Sequence, residues 1–306
     1  MDSTLKALQI GQLDQTRLPN TVAGAPFDDK DADLILRSCD GTDFHVFKGI
    51  LILYSPIFRD ILSLPSPPHI NHHEGGKPVI DMQESSATLG TLLKFCYPTT
   101  ENPKIATKCH FVDVISGAIK FEMTSLYNTI VDSHLDETVL KVSPLEYYDL
   151  AHKLRLRYLA QKSARGGLYL RMEQVIEQSR SIDWANLSVK DFARLLHFFL
   201  KCNNACQALI SNPSDEPSWL TPADCLFCST SSQYSTALGT IRQRLRLNMI
   251  APRLLTVGFN DFKNCTANFS SRCDRAEHLQ HLANLLLEFP KQIEMVIDQV
   301  DLELDF

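Results

Sequence analysis

Residues 33–64 read DLILRSCDGTDFHVFKGILILYSPIFRDILSL. Two short apolar strands flank Asp40-Gly41, a dipeptide that supplies the positive φ of a tight hairpin turn. Leu34, Ile35 and Leu36 form the outgoing strand, and Phe44 to Phe47 form the return. Lys48 follows, then Ile50 to Tyr54, a run apolar on every side, so a helix there is expected to be buried. Ser55 suits an N-cap and Pro56 the first helical position, with Ile57, Phe58, Ile61 and Leu62 lining one face.

Working outward, residues 64–78 (LPSPPHINHHEGGKP) are rich in proline and histidine. His69, His72 and His73 have no carboxylate or cysteine at ligand spacing, so a solvated loop is the better reading than a metal site. Val79-Ile80 suggests a third strand. Ser86 opens a helix in which Leu89, Leu92, Leu93 and Cys96 recur at helical spacing, and Tyr97-Pro98 stops it. A further pair spans Phe111 to Phe121 and a Thr124-capped helix holding Leu126, Ile130 and Leu135. Residues 1–27 mix polar residues with isolated apolar ones and read as a flexible lead-in.

Acidic residue and strand, tight hairpin, F-H-x-x-K, apolar helix and S-P-x-F occur here in the order that opens a BTB/POZ domain. The helix ending in F-C-Y-P resembles the family's L-L-x-F-x-Y signature. Residues 118–123 with Leu126 are similar to its A-x-x-Y/F-x-M-x-x-L helix pair. The wording around D-A-D and F-R-D-x-L-S-L-P looks closest to fungal BTB/POZ proteins with a helical tail. The resemblance implies an α+β fold over residues 28–138, a small sheet clasped by helices. It also implies a role in binding other proteins, with no catalysis.

Ser143-Pro144-Leu145-Glu146 looks like a capping box and opens an all-α domain over residues 139–306. Helices are expected at Leu145–His152, at Tyr158–Ser179, and after Ser188. The last would carry Phe192, Leu195, Leu196, Phe199 and Leu200 on one face. Residues 212–222 are a break, and 234–248 and 274–287 are again amphipathic. The start of this half is similar to the helical extension called BACK that follows many BTB domains; its distal part is the cysteine-containing stretch.

The chain has 306 residues, 44% of them hydrophobic and 22% charged, with net charge −6. That length suits two domains. The acidic total argues against nucleic acid, whose binders need a basic face. The basic stretch Lys153 to Arg171 is interleaved with leucines and reads as a solvated helix face. No apolar run approaches the ~20 residues that span a bilayer. The opening residues lack a secretory pattern, so a cytoplasmic or nuclear location is expected. The nine cysteines then favour thiols or metal ligands over disulfides.

No G-x-S-x-G, H-E-x-x-H, P-loop or G-x-G-x-x-G occurs, so no enzyme is read here. Cys225 and Cys228 form a C-x-x-C, and a tetrahedral zinc would need a second pair. Cys265 and Cys273 are the candidates. Cofactor-free packing cysteines are the favoured reading, with a structural or catalytic zinc domain as the alternative. Cys202 and Cys206, one turn apart, read as core or interface residues. His45, on a strand, reads as a satisfied packing residue.

In the family, an acidic residue at the first strand and a basic one after the second line a charged pocket near a homodimer interface. Asp33 and Lys48 match those positions; a helix-capping aspartate and a surface lysine are the plainer alternative. Ile50, Leu51, Tyr54 and Phe58 are the apolar dimer candidates. The expected function is a self-associating adaptor whose helical domain meets an unidentified protein partner. A cullin scaffold is a partner elsewhere in the family, but its hydrophobic-x-Glu motif is not matched, since His72 stands two residues before Glu74.

Overall fold

The computed structural model describes residues 21–64, 76–98, 102–211, 287–288 and 290–306. It divides into two compact units, residues 1–134 and 135–306.

The first unit is built on a four-stranded sheet in the order β1-β3-β2-β4. Its strands are β1 (Thr21–Val22), β2 (Leu34–Arg37), β3 (Thr42–Val46) and β4 (Val79–Asp81). β2 and β3 are an antiparallel hairpin that pairs Leu36 with Phe44 and Arg37 with Asp43. Gly41, at φ +83°, provides the left-handed residue the turn requires. β1 runs parallel to β3 and β4 parallel to β2. Leu34, Ile35 and Leu36 are all buried, as expected of an inner strand covered on both faces.

Helices follow the strands: α1 (Lys48–Tyr54), α2 (Pro56–Ser63), α3 (Ser86–Cys96), α4 (Lys108–Lys120) and α5 (Tyr127–His134). The last is preceded by a 3-10 turn, Thr124–Leu126, so Thr124 starts that turn and does not cap the helix. α3 is capped by Ser85, one residue before the expected start, and buries Leu89, Leu92, Leu93 and Cys96. Its Gly90 lies where a Cβ would come within 3.1 Å of the Phe44 ring. The missing side chain is what lets α3 lie on the sheet. α4 packs between α3 and α5, and His134 stacks on Phe111 at 4.6 Å while its Nδ1 lies 2.8 Å from the Ile105 carbonyl.

The ordered unit reaches upstream of the expected lead-in boundary. β1 lies within residues 1–27, and Phe27 is 2% exposed, with its ring edge-on to Phe44 and Tyr97. Two residues are too few for a strand to show in the sequence, and one aromatic among polar neighbours carries no period.

The second unit is helical in its described residues: α6 (Glu137–Val142), α7 (Pro144–Leu154), α8 (Arg157–Gly167), α9 (Met172–Ser179) and α10 (Val189–Ser211), with residues 290–298 also helical. The single helix expected at Tyr158–Ser179 is two. The chain turns after Gly166-Gly167, and a Cβ on Gly167 would meet the Phe199 ring at 2.4 Å, so α8 and α10 touch there through bare backbone. Ser143 makes no side-chain cap. Gln178 of α9 does that work instead, accepting from the Leu145 amide at 3.3 Å and donating to the Val142 carbonyl at 2.8 Å. The buried line of α10 is Leu195, Phe198, Phe199, Cys202 and Cys206, whereas Leu200 is 38% exposed. Cys202 and Cys206 are thus core residues.

Candidate functional site

The helices α1 and α2 continue directly from β3, and their position is set by side-chain caps. The Asp33 carboxylate, at the entry to β2, accepts the Lys48 backbone amide at 2.8 Å. It satisfies one of the orphan amides of the first turn of α1. The two residues picked from the sequence therefore do meet, but through the Lys48 main chain. Asp33 is exposed, so the plainer reading, a capping aspartate, describes its contact within one chain.

Ser55 caps α2. Its Oγ accepts the Phe58 amide at 3.0 Å and donates to the Phe121 carbonyl at 2.6 Å. Phe58 stacks on Phe121 with ring centroids 4.9 Å apart. Leu51 is 0% exposed and Phe58 2% exposed. Both were dimer candidates by sequence, and both belong to the core of the unit. An apolar residue on a short helix looks the same in sequence whether it faces inward or outward.

The rest of the run faces the other way. Ile50, Ile52 and Tyr54 are half-buried, and Leu53 is 73% exposed. The expectation of a wholly buried helix is corrected by that residue. On α2, Ile57 and Ile61 stand one turn apart, half-buried and exposed respectively, and the exposed Leu64 follows the helix directly. Two consecutive helices thus each present exposed apolar residues, and where such residues form a contiguous patch they mark interaction sites more often than plain surface.

No catalytic constellation accompanies them among the described residues. Among the described residues no group of histidines, cysteines and acids could hold a metal ion. Cys225, Cys228, Cys265 and Cys273, like His69, His72 and His73, lie outside the described residues. Burial pushes the Cys96 thiol up to about 12, which keeps it an inert packing group. His45 is half-buried with Nδ1 3.3 Å from the Asp29 carbonyl, and its buried Nε2 has no partner, so it is only partly satisfied. No helix among the described residues is long and apolar enough to cross a membrane.

The Arg37–Asp43 pair ties the hairpin together near its turn. Nε and Nη2 of Arg37 donate to the two carboxylate oxygens at 2.6 and 2.9 Å, and Asp43 is 1% exposed. The hydrogen bond to Asp43 raises the Arg37 pKa further above its ordinary value. The Asp40 carboxylate joins the turn to α3, accepting from the Ser38 hydroxyl at 2.5 Å and the Ser86 amide and hydroxyl at 2.9 and 2.7 Å. Sequence reasoning saw Asp40 only as a turn residue, because its partner lies 46 residues away.

A small mixed sheet flanked by helices, a Ser-Pro-capped second helix and an exposed apolar helical face define an interaction domain. Residues 26–138 match the family model of the BTB/POZ domain, and this stretch of the chain is a BTB/POZ domain. The match starts at residue 26, in keeping with the buried Phe27. BTB/POZ domains are generally modules of protein–protein interaction and self-association. No curated protein matches the chain.

Proposed function

We propose that the protein is an adaptor that forms homodimers through its BTB/POZ domain and offers the helical unit to a protein partner. The observation that carries this reading is Leu53, a large apolar side chain 73% exposed in the last turn of α1, with Ile61 exposed on α2 and Leu64 exposed just after it. Burying such residues against a second copy gains about 25 cal/mol per Å² of apolar surface removed from water. A twofold interface is the commonest closed solution for one self-complementary patch.

The absence of catalytic motifs in the sequence supports an interaction role. Asp33 and Lys48 lie at the N-terminal end of the same helix, where their charges would border such a contact and bias its register.

Sedimentation of the full chain at about 10 µM, a concentration bracketing weak dimers, tests the first half of the reading. A dimer is expected, and a lone monomer overturns it. Affinity capture with the full chain beside residues 26–138 tests the second half. A partner retained only by the full chain is expected, and identical captures overturn it.

A further inference from the structure

In the second unit, residues 301–306, Asp-Leu-Glu-Leu-Asp-Phe, lie against α10 without regular secondary structure. Burial alternates along them: Leu302 is buried, Leu304 and Phe306 are half-buried, and the three acids are exposed. Lys201 holds Glu303 at 3.2 Å. Arg194 and Lys190 hold Asp305, the latter at 3.5 Å. Phe306 stands edge-on to His152, with centroids 4.8 Å apart. Among the described residues the segment makes no backbone-to-backbone hydrogen bond to the rest of the unit. It is seated, among the described residues, by side chains.

The cleft is wider than its occupant. A space of about 760 Å³ remains beside the segment, and its far wall is formed by Arg157, Lys162 and Arg165 of α8. The acids facing this space come from residues 298–305; the helices behind them contribute cations. Without the segment the cleft keeps an excess of cations, although Arg165 stays paired with Asp298 at 2.5 Å and Arg194 with Asp191 at 2.9 Å, with apolar seats between its charges. Exposed ion pairs hold weakly and are screened by salt, so a segment with no backbone ladder is readily exchanged for another of the same chemistry.

We propose that this groove is a binding site for acidic–aliphatic peptide segments of partner proteins, and that residues 301–306 occupy it as an internal competitor. The occupant is defined by the seats: an acid for Lys201, an acid for Arg194 and Lys190, leucine-like residues between them, and an aromatic ring for His152. This deepens the adaptor reading by giving the partner-facing unit a site. It rests on that unit meeting a partner and is independent of self-association.

The test uses the full chain carrying Glu303→Lys and Asp305→Lys, which sets the segment against the groove's own charge. Fluorescence anisotropy then follows a labelled hexapeptide of the sequence Asp-Leu-Glu-Leu-Asp-Phe, with a control peptide bearing lysine in place of each acid. The reversed chain should bind the acidic peptide at least about tenfold more tightly than the unaltered chain. Adding Arg194→Glu and Lys201→Glu should abolish that binding, and the control peptide should not bind. Equal affinity for both chains, or no binding by the reversed chain at about 1 mM peptide, overturns the proposal. Should the reversed chain fail to fold, Phe306→Ala, which loosens the segment without changing charge, must raise the affinity instead. A chain that loses its dimer on charge reversal would assign the groove to a second copy and overturn the partner reading. Failure of peptide binding alongside a partner still captured only by the full chain would remove this site and leave the adaptor reading standing.

Discussion

The Ser55 hydroxyl spans two elements at once, closing the start of α2 on the Phe58 amide and donating to the Phe121 carbonyl just beyond α4. It is 0% exposed, so no water can replace either bond. Ser55→Ala removes a cap and strands a buried carbonyl. The two losses together should cost about 2–3 kcal/mol, read as a shift of the first transition in urea unfolding. A change below about 0.5 kcal/mol would show that the bond contributes little.

Arg37 and Asp43 pair face to face across the hairpin, with Asp43 almost wholly enclosed. Arg37→Leu leaves a buried carboxylate without its main partner and should destabilise by about 3–5 kcal/mol. Arg37→Leu with Asp43→Leu should recover most of that, because the buried charge is gone. A double-mutant cycle in urea measures the coupling, and additive losses would contradict it.

Leu53 is the residue on which the proposed self-association turns. Leu53→Asp places a charge at the centre of the exposed face but disturbs no core contact. Unfolding free energy of the monomer should stay within about 0.5 kcal/mol, while sedimentation should shift from dimer to monomer. A dimer that survives the substitution would move the interface elsewhere.

Two glycines should respond in opposite directions to alanine. A Cβ on Gly167 meets the Phe199 ring, which is 0% exposed and has nowhere to retreat, so Gly167→Ala should cost about 1–3 kcal/mol. Gly49, in α1, has nothing within 4 Å of a built Cβ. Gly49→Ala should therefore stabilise by about 0.5 kcal/mol through the loss of unfolded-state freedom. Thermal unfolding of the two variants gives the comparison directly.

Asp40 sits in a fan of donors, and the Ser38 hydroxyl, followed by that of Ser86, holds its carboxyl below the usual carboxylate range. A depressed folded pKa gives a contribution that is complete above the unfolded value of about 3.9 and is lost as pH falls through the folded one. Carboxyl carbon NMR should find Asp40 titrating below about 3.9. Asp40→Asn should remove the corresponding acid-side slope in stability. An unshifted titration would mean the serines do not bind the ionised form.

Much of the first unit could be read from local chemistry. Asp40-Gly41 marks the turn, Ser55-Pro56 the start of α2, and the spacing of Leu89, Leu92, Leu93 and Cys96 the buried face of α3. What escaped was long-range or too short to carry a period. Gln178 caps a junction over thirty residues upstream, and Thr21–Val22 is a strand only because β3 accepts it. The candidate surface was half legible. An apolar run on α1 announced more hydrophobic area than one small unit needs. Whether Leu51 or Leu53 faces outward depends on which side α3 covers, and no local pattern holds that information.

The parallel pairing of β2 with β4 also sets an order of events during synthesis. When the hairpin and α1–α2 have left the ribosome, one edge of β2 has no neighbour, because Val79, the partner of Ile35, lies sixteen positions beyond Ser63. At about 5–20 residues per second, that edge stays open for about one to three seconds. During that interval the nascent chain presents both an unsatisfied strand and an unsatisfied helical surface. Two ribosomes on one message hold such chains close together. If the protein dimerises through that helical face, as proposed, the subunit contact can be sought before the sheet is complete, and the two copies would come from the same message.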